Sequence, residues 1–345
     1  MTGSIHKKGK TYYIVFRFHD SNNGKRSQIW IPAGKSKKEA DKKLTEMTGE
    51  VHNGTYREIK KIIFADFAKL WLSSYAEMKL KPSTLRSYKD IINKHLIPVM
   101  GDYQLTEIST DKLQRYVAMR LQKVKPKTVI NEIVPLKEMF RHAVRWGYLK
   151  VNPAEYVEGP ISHRKEIEIL PLDEVGSFLK VDNHYRIVFL TAVLTGLRAG
   201  ELWVSRPDMN WTLGQVFVRR ALWKGHFQTP KTKKSVRKID LLPQLVNELK
   251  HWKTICPMND HNLVFPSPEG SMSIHENVMK RYFNPALKQA GVRRVSFHSL
   301  RHTNASLRIE AGQNIKYVQL QLGMLRFKQH LIDTVISSER SIRNK

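Results

Sequence analysis

One cysteine, Cys256, stands in 345 residues. A single thiol excludes an internal disulfide and any cysteine-built zinc site, and it fits a reducing cytoplasm. No apolar run reaches the roughly 18 residues that a membrane-spanning helix needs. No basic-then-apolar leader opens the chain. The 14 histidines are scattered without paired ligand spacing, so neither a metal nor another cofactor is expected. Acid is scarce: 31 Asp and Glu face 59 Lys and Arg, a net charge of +28. Such an excess implies a polyanionic partner, nucleic acid ahead of a membrane surface. Internal repeats and low-complexity tracts are absent. Tyrosine is missing from one region, since none follows Tyr317.

What is present is two short boxes suited to a phosphodiester. Ser296-Phe-His-Ser-Leu-Arg-His-Thr-Asn-Ala-Ser306 places His298 and Arg301 three residues apart, at the head of a helical pattern. Residues so spaced share a helix face, so an imidazole and a guanidinium can reach one object. Upstream, Thr195-Gly-Leu-Arg-Ala-Gly-Glu-Leu202 repeats the spacing with Arg198 and Glu201. Arginine presents a planar fork of donors that matches phosphate oxygens in pairs.

The length has room for two or three domains. Residues 1–58 read as a small β-rich module. Thr11–Phe18 and Arg26–Ile31 are its strands, Asp20–Gly24 its turn, and Ser36-Lys-Lys-Glu39 the capping pattern of a helix through about Gly49. Residues 59–160 read as helical. Phe64, Phe67, Leu70 and Trp71 form a stripe; a second helix starts at Pro82 and is stopped by Pro98 and Gly101; Thr110 caps a third; Pro135 kinks a fourth, Lys127–Trp146. Trp71, Tyr88, Phe140 and Trp146 fit a core better than base stacking. Gly159–Glu166 reads as a linker. The following domain, 165–323, is mostly helical, with strands at Gln215–Leu222 and Ser235–Leu241. The fold class is mainly α with small β-sheets, an α+β arrangement.

The two boxes, in this order and at this separation, resemble the tyrosine recombinase (phage integrase) family. The resemblance extends over nearly the whole chain. It implies an arm-type DNA-binding module at 1–58, a helical core-binding (SAM-like) domain at 59–160 and a catalytic domain at 165–323. It also implies site-specific recombination that integrates and excises a mobile element, through strand cleavage, a four-way junction and religation. The partners implied are double-stranded attachment-site DNA and further copies in a tetramer on DNA, in a prokaryotic, nucleoid-associated cytoplasmic setting. An excisionase is left open as a further partner. By this resemblance Arg198 and Arg301 clamp the scissile phosphate and neutralise charge that grows in the transition state. Glu201 orients an arginine or the local backbone. His298 hydrogen-bonds the phosphate and assists proton movement, since imidazole titrates near neutral pH. His302 points off that face and packs. Lys231, in Thr229-Pro-Lys-Thr-Lys-Lys234, matches the lysine that protonates the departing 5′ oxygen, with Lys233 and Lys234 close by. A type IB topoisomerase shares this chemistry, but the arm-type module and the short length weigh against it.

The resemblance breaks after Gly323. The family places a His, or sometimes a Trp, after Leu-Gly, and a nucleophilic Tyr about ten residues later. Here Leu322-Gly323 is followed by Met324, and Tyr317 lies upstream, where packing is its expected role. No residue is therefore assigned as nucleophile. A coding string permitted for the tail, read two bases further on, gives His-Ala-Ser-Ile-Gln-Thr-Thr-Phe-Asp-Arg-Tyr-Gly-His-Leu. The only methionine codon, ATG at Met324, forces two bases of that His, and Asp333-Thr334 yields the Tyr with one two-way choice. A single-base deletion near codon 323 would make the tail 324–345 out-of-frame sequence; the alternative is a divergent tail with its own fold. Sequencing the gene through codon 323 is expected to reveal a shifted frame with Gly-His and a Tyr codon downstream. If no frame beyond Leu322 encodes them, the tail evolved as it stands.

Overall fold

The computed structural model describes residues 3–19, 26–52, 59–162, 168–223, 226–228, 236–259 and 261–324. It divides into two compact units, Met1–His163 and Arg164–Lys345. The architecture is mostly helical with small antiparallel sheets. Among the described residues, no helix is long and apolar enough to cross a membrane.

The first unit opens with three antiparallel strands in the order β1 (Gly3–Lys8), β2 (Thr11–His19), β3 (Arg26–Gly34). β1 was not foreseen: its Gly-Ser-Ile-His-Lys-Lys has only one strong strand former. Pairing with β2 in full register, Gly3 opposite Phe16 and Lys8 opposite Thr11, supplies what propensity does not. The turn expected at Asp20–Gly24 lies outside the described residues. Alternation sends Ile14 and Phe16 to one face, where α1 (Lys37–His52) covers them with Ala40 and Met47.

The rest of this unit is helical: α2 (Phe64–Trp71), α3 (Glu77–Lys79), α4 (Pro82–Ile91), α5 (Ile97–Met100), α6 (Thr110–Leu121) and α7 (Pro126–Arg145). Phe64, Phe67, Trp71, Leu96, Leu136 and Phe140 build its core. Trp71 stacks on Tyr88, and Phe67 meets Trp146 edge-on, so the aromatics are packed inside. Buried Glu132 of α7 accepts from Tyr116 Oη (2.7 Å) and Arg120 Nε (2.8 Å), fastening α6 to α7.

The cap of α6 is Ser109, whose Oγ accepts from the Lys112 amide, and not Thr110, which is the first helical residue. Thr110 Oγ1 instead donates to the Pro153 carbonyl, 2.8 Å. Nor does Pro98 stop its helix. A π turn at Ile92–Leu96 joins α4 to α5, and Pro98 is the second residue beyond it. Proline has no N–H and its ring clashes with the carbonyl four residues back; the wider turn moves that carbonyl aside. A further π turn, Leu72–Ala76, joins α2 to α3 with no proline after it.

The second unit contains α8 (Leu172–Lys180), α9 (Arg186–Thr195), β4 (Met209–Asn210), β5 (Gln215–Val218), β6 (Ala221–Trp223), β7 (His226–Gln228), β8 (Arg237–Asp240) and α10 (Pro243–Ile255). Then come α11 (His275–Val278), a π turn at Met279–Phe283, α12 (Asn284–Gln289), α13 (Phe297–Glu310) and α14 (Ile315–Leu322). Pro285 repeats the geometry of Pro98, two residues past its π turn. The strand expected at Gln215–Leu222 is two strands. β5 pairs with β4 and β8, while β6 leaves for a hairpin with β7, the break falling at Arg219-Arg220. Both arginines turn to buried Asp208, and that interaction outweighs strand continuity. Phe178, Phe189, Phe283 and Phe297 meet at 5.3–5.5 Å in the core.

Trp71 is fully buried. Trp71→Ala is expected to cost about 3–5 kcal/mol, read by chemical denaturation of the first unit.

Candidate active site

The site forms where α9, β8, α13 and α14 converge. α9 ends at Gly196, which has φ +64°. A Cβ there would lie 2.3 Å from Leu322 Cδ2 and 2.8 Å from Asn304 Oδ1, so glycine permits both the turn and the close approach of α13 and α14. The chain then loops back so that the amides of Glu201 and Leu202 donate to the Arg198 carbonyl. Glu201 consequently faces the residue three before it. Its Oε2 accepts from the Arg198 amide (3.0 Å) and its Oε1 from Arg198 Nη1 (2.8 Å).

Glu201 is only 5% exposed and has a second partner that the sequence did not announce. Arg237, at the start of β8, donates Nη2 to Oε2 (2.9 Å) and Nη1 to Oε1 (3.2 Å). Burial alone would raise the Glu201 pKa. The hydrogen bond and charge of Arg237, aided by Arg198, outweigh it and hold the carboxyl below the ordinary carboxylate value.

α13 begins at Ser296, whose Oγ accepts from the Ser299 amide, and Phe297 anchors its first turn in the aromatic core. Arg301 is 2% exposed. Its Nη1 donates to the Gly196 carbonyl (2.8 Å) and its Nη2 to that of Leu322 (2.5 Å). Burial, then the charges of Arg198 and Arg237, pull its pKa down to about 9 against the opposing pull of Glu201. It stays a cation at neutral pH.

α14 closes with Gly323 in the left-handed region, its amide on the Leu320 carbonyl and the Met324 amide on that of Gln319. Carbonyls at a helix end lack intrahelical partners and carry partial negative charge. Three successive ones are taken by three arginines. Arg237 Nε donates to Gln321 O (2.7 Å), Arg301 Nη2 to Leu322 O and Arg198 Nη2 to Gly323 O (3.4 Å). Asp240 of β8 holds the other side of α14, accepting from Gln321 Nε2 (2.9 Å) and Tyr317 Oη (3.0 Å). Burial and Asp240 raise the Tyr317 pKa, keeping the phenol protonated, the reverse of what a nucleophile needs.

The structure therefore brings Arg198, Glu201 and Arg301 together and adds Arg237. His298 is exposed on the first turn of α13, and its ring lies 4.8 Å from that of His302, nearly perpendicular. The expectation that His302 points off the His298 face is corrected: residues four apart on a helix share a face. Lys231 lies outside the described residues, in the segment between β7 and β8. Among the described residues, no three His, Cys, Asp or Glu gather as metal ligands would.

Three family models match the chain: an arm DNA-binding domain over 4–51, a phage integrase N-terminal SAM-like domain over 63–121 and the phage integrase family over 168–326. The chain belongs to the phage integrase, or tyrosine recombinase, family. A curated relative, a tyrosine recombinase XerC-like protein of Caldanaerobacter subterraneus subsp. tengcongensis, is 28% identical over 92% of this chain and 90% of its own length. The ICEBs1 integrase of Bacillus subtilis is 24% identical over 85% and 84%. Among solved structures, the Tn1549 transposon integrase in complex with a circular intermediate DNA matches with TM-score 0.65 at 18% identity, over 80% of this chain and 99% of that one. A lambda integrase dimer bound to a COC′ core site matches with TM-score 0.62 at 18% identity, over 94% and 93%. At these identities the two structures speak for the fold of this chain alone.

The depressed Glu201 pKa fixes a sign. Its stabilisation is complete above the unfolded carboxylate value and is lost as pH falls through the lower folded value. Glu201→Gln is expected to lower stability at neutral pH by about 1–3 kcal/mol. It should also flatten the acid limb of the stability–pH curve, measured by denaturation across pH 3–7. An unchanged acid limb would remove Glu201 as its source.

Proposed function

We propose that this integrase-family chain binds double-stranded attachment-site DNA and seats one phosphate at Arg198 and Arg301, but does not cleave it. One observation carries the reading: the arginine cluster is whole as far as Gly323, whereas no tyrosine follows Tyr317. Family membership supports site-specific DNA recombination as the ancestral activity. In that activity a tyrosine oxygen bonds to phosphorus, the bond to the 5′ oxygen breaks, and Lys231 supplies the leaving oxygen with a proton. His298 would hydrogen-bond the same phosphate. The tyrosyl link conserves the bond for religation, so no ATP or metal is needed. Without the nucleophile that route is closed, while phosphate binding by cations is untouched.

The division of labour we propose follows the matched segments: arm DNA binding in 1–58, core-site binding in 59–160 and phosphate binding in 165–323. A tetramer on DNA and an excisionase partner belong to the same proposal; a lambda integrase tetramer is known bound to a Holliday junction. A frameshift after codon 323 accounts for the tail. The product would act as a non-cleaving integrase remnant, competing with an intact enzyme for sites.

The test uses a duplex selected from random DNA by the full chain, nicked so that cleavage traps the protein. This chain should give no covalent adduct, and the same gene with one base restored should give one. Both proteins should bind the intact duplex within about tenfold of each other. An adduct with the present chain overturns the loss of cleavage; absence of any preferred duplex overturns the site-specific reading.

A further inference from the structure

Arg237 belongs to neither box, yet it joins Glu201 of the first box to the end of α14. Its Nη pair grips both oxygens of Glu201, and its Nε grips the Gln321 carbonyl. All three nitrogens of its guanidinium are thus engaged within the protein, by Glu201 and by the Gln321 carbonyl. We propose that Arg237 is a positioning residue. It ties the Arg198–Glu201 pair to the end of α14, so that the two phosphate-seating arginines come into place only on a docked α14. The inference rests on the phosphate-binding reading above.

The geometry gives Arg237 this role by three connections. First, Glu201 is shared: the oxygen that receives Arg198 Nη1 also receives Arg237 Nη1. A shift of Arg237 therefore moves the acceptor on which Arg198 is aimed. Second, the Gln321 carbonyl directly precedes the two carbonyls that receive Arg301 and Arg198. Holding the first sets the position of the next two. Third, the fit is close. A Cβ on Gly323 would lie 3.0 Å from Arg237 Cδ, so the left-handed glycine leaves room for this guanidinium and for little else.

Asp240 reinforces the arrangement from the same strand. Its amide donates to Gln321 Oε1 (3.0 Å) while its carboxylate accepts from Gln321 Nε2. β8 thus holds Gln321 by backbone and by side chain. Lysine in place of Arg237 would offer one ammonium, unable to span a carboxylate and a carbonyl in the fixed directions of a planar fork.

The experiment uses the full chain and the selected duplex, with each phosphate in turn replaced by a neutral methylphosphonate. The unaltered chain should lose about tenfold in affinity at one phosphate, the one seated by Arg198 and Arg301. In Arg237→Gln and Arg237→Lys, with melting temperature confirming the fold, that loss should shrink to about twofold. Losses at the other phosphates should persist. Retention of the full loss at the seated phosphate overturns the proposal, as does a uniform weakening at every phosphate. If Arg237→Gln fails to fold, Arg237→Lys decides; if both fail, Arg237 is a stability residue and the proposal falls. A chain that shows no distinguished phosphate overturns the phosphate-seating reading itself, an outcome separable from the others.

Discussion

Three guanidinium groups on three consecutive carbonyls, with one carboxylate among them, are the constraint around which the second unit is arranged. Counting Arg198, Arg237 and Arg301 against Glu201 gives 3 − 1 = +2. Two of these arginines are almost wholly buried, where an unmatched charge is expensive. The helix end offers only about half a negative charge in compensation. Burial first, and the neighbouring guanidinium charges after it, pull the Arg301 pKa down. Such a site is stable because hydrogen bonds fix its donors, and it stays electrostatically hungry because its charge is not balanced. An added negative charge would relieve the imbalance.

The proposed function separates holding a phosphate from breaking it along the chain. The cations come from α13, β8 and the turn after α9, all of them placed before Gly323. The attacking group would come from the segment beyond Gly323. On that proposal, loss of the latter would leave the former standing, because α14 is secured by side chains of β8 and α13. Tyr317 offers no substitute: its hydroxyl is spent on Asp240, and that contact is part of what keeps α14 docked.

Sequence revealed the parts of this site that are locked to short spacings. Arg198 with Glu201, and His298 with Arg301, follow from i and i+3 pairs inside dense boxes. Arg237 was hidden because its partners lie 36 and 84 residues away, and nothing local distinguishes it from Lys238 beside it. A clue was available in hindsight: an arginine on a strand whose alternation would bury it needs a buried acceptor. His302 shares a face with His298 because four residues make about one helical turn, a relation that linear adjacency to Arg301 hides. β1 and the split of the strand at Arg219-Arg220 escaped for another reason, since pairing and a buried Asp208 overrode local propensity. The helical stripe of Phe64, Phe67 and Trp71 was legible because burial alone dictates it.

The π turns have a consequence for how such a chain can vary over time. Removing one residue from an ordinary helix rotates everything beyond it by about 100° and turns a buried face toward water. A π turn already contains one residue beyond the α count, so deletion there can return the segment to regular winding with its two flanks still in phase. Where a proline follows, at Pro98 and Pro285, the surplus residue is needed to accommodate the ring and cannot be given up. At Leu72–Ala76 no proline makes that demand. This stretch is therefore a place where loss of a whole codon can pass with the helix preserved, in a gene where loss of a single base would erase everything downstream.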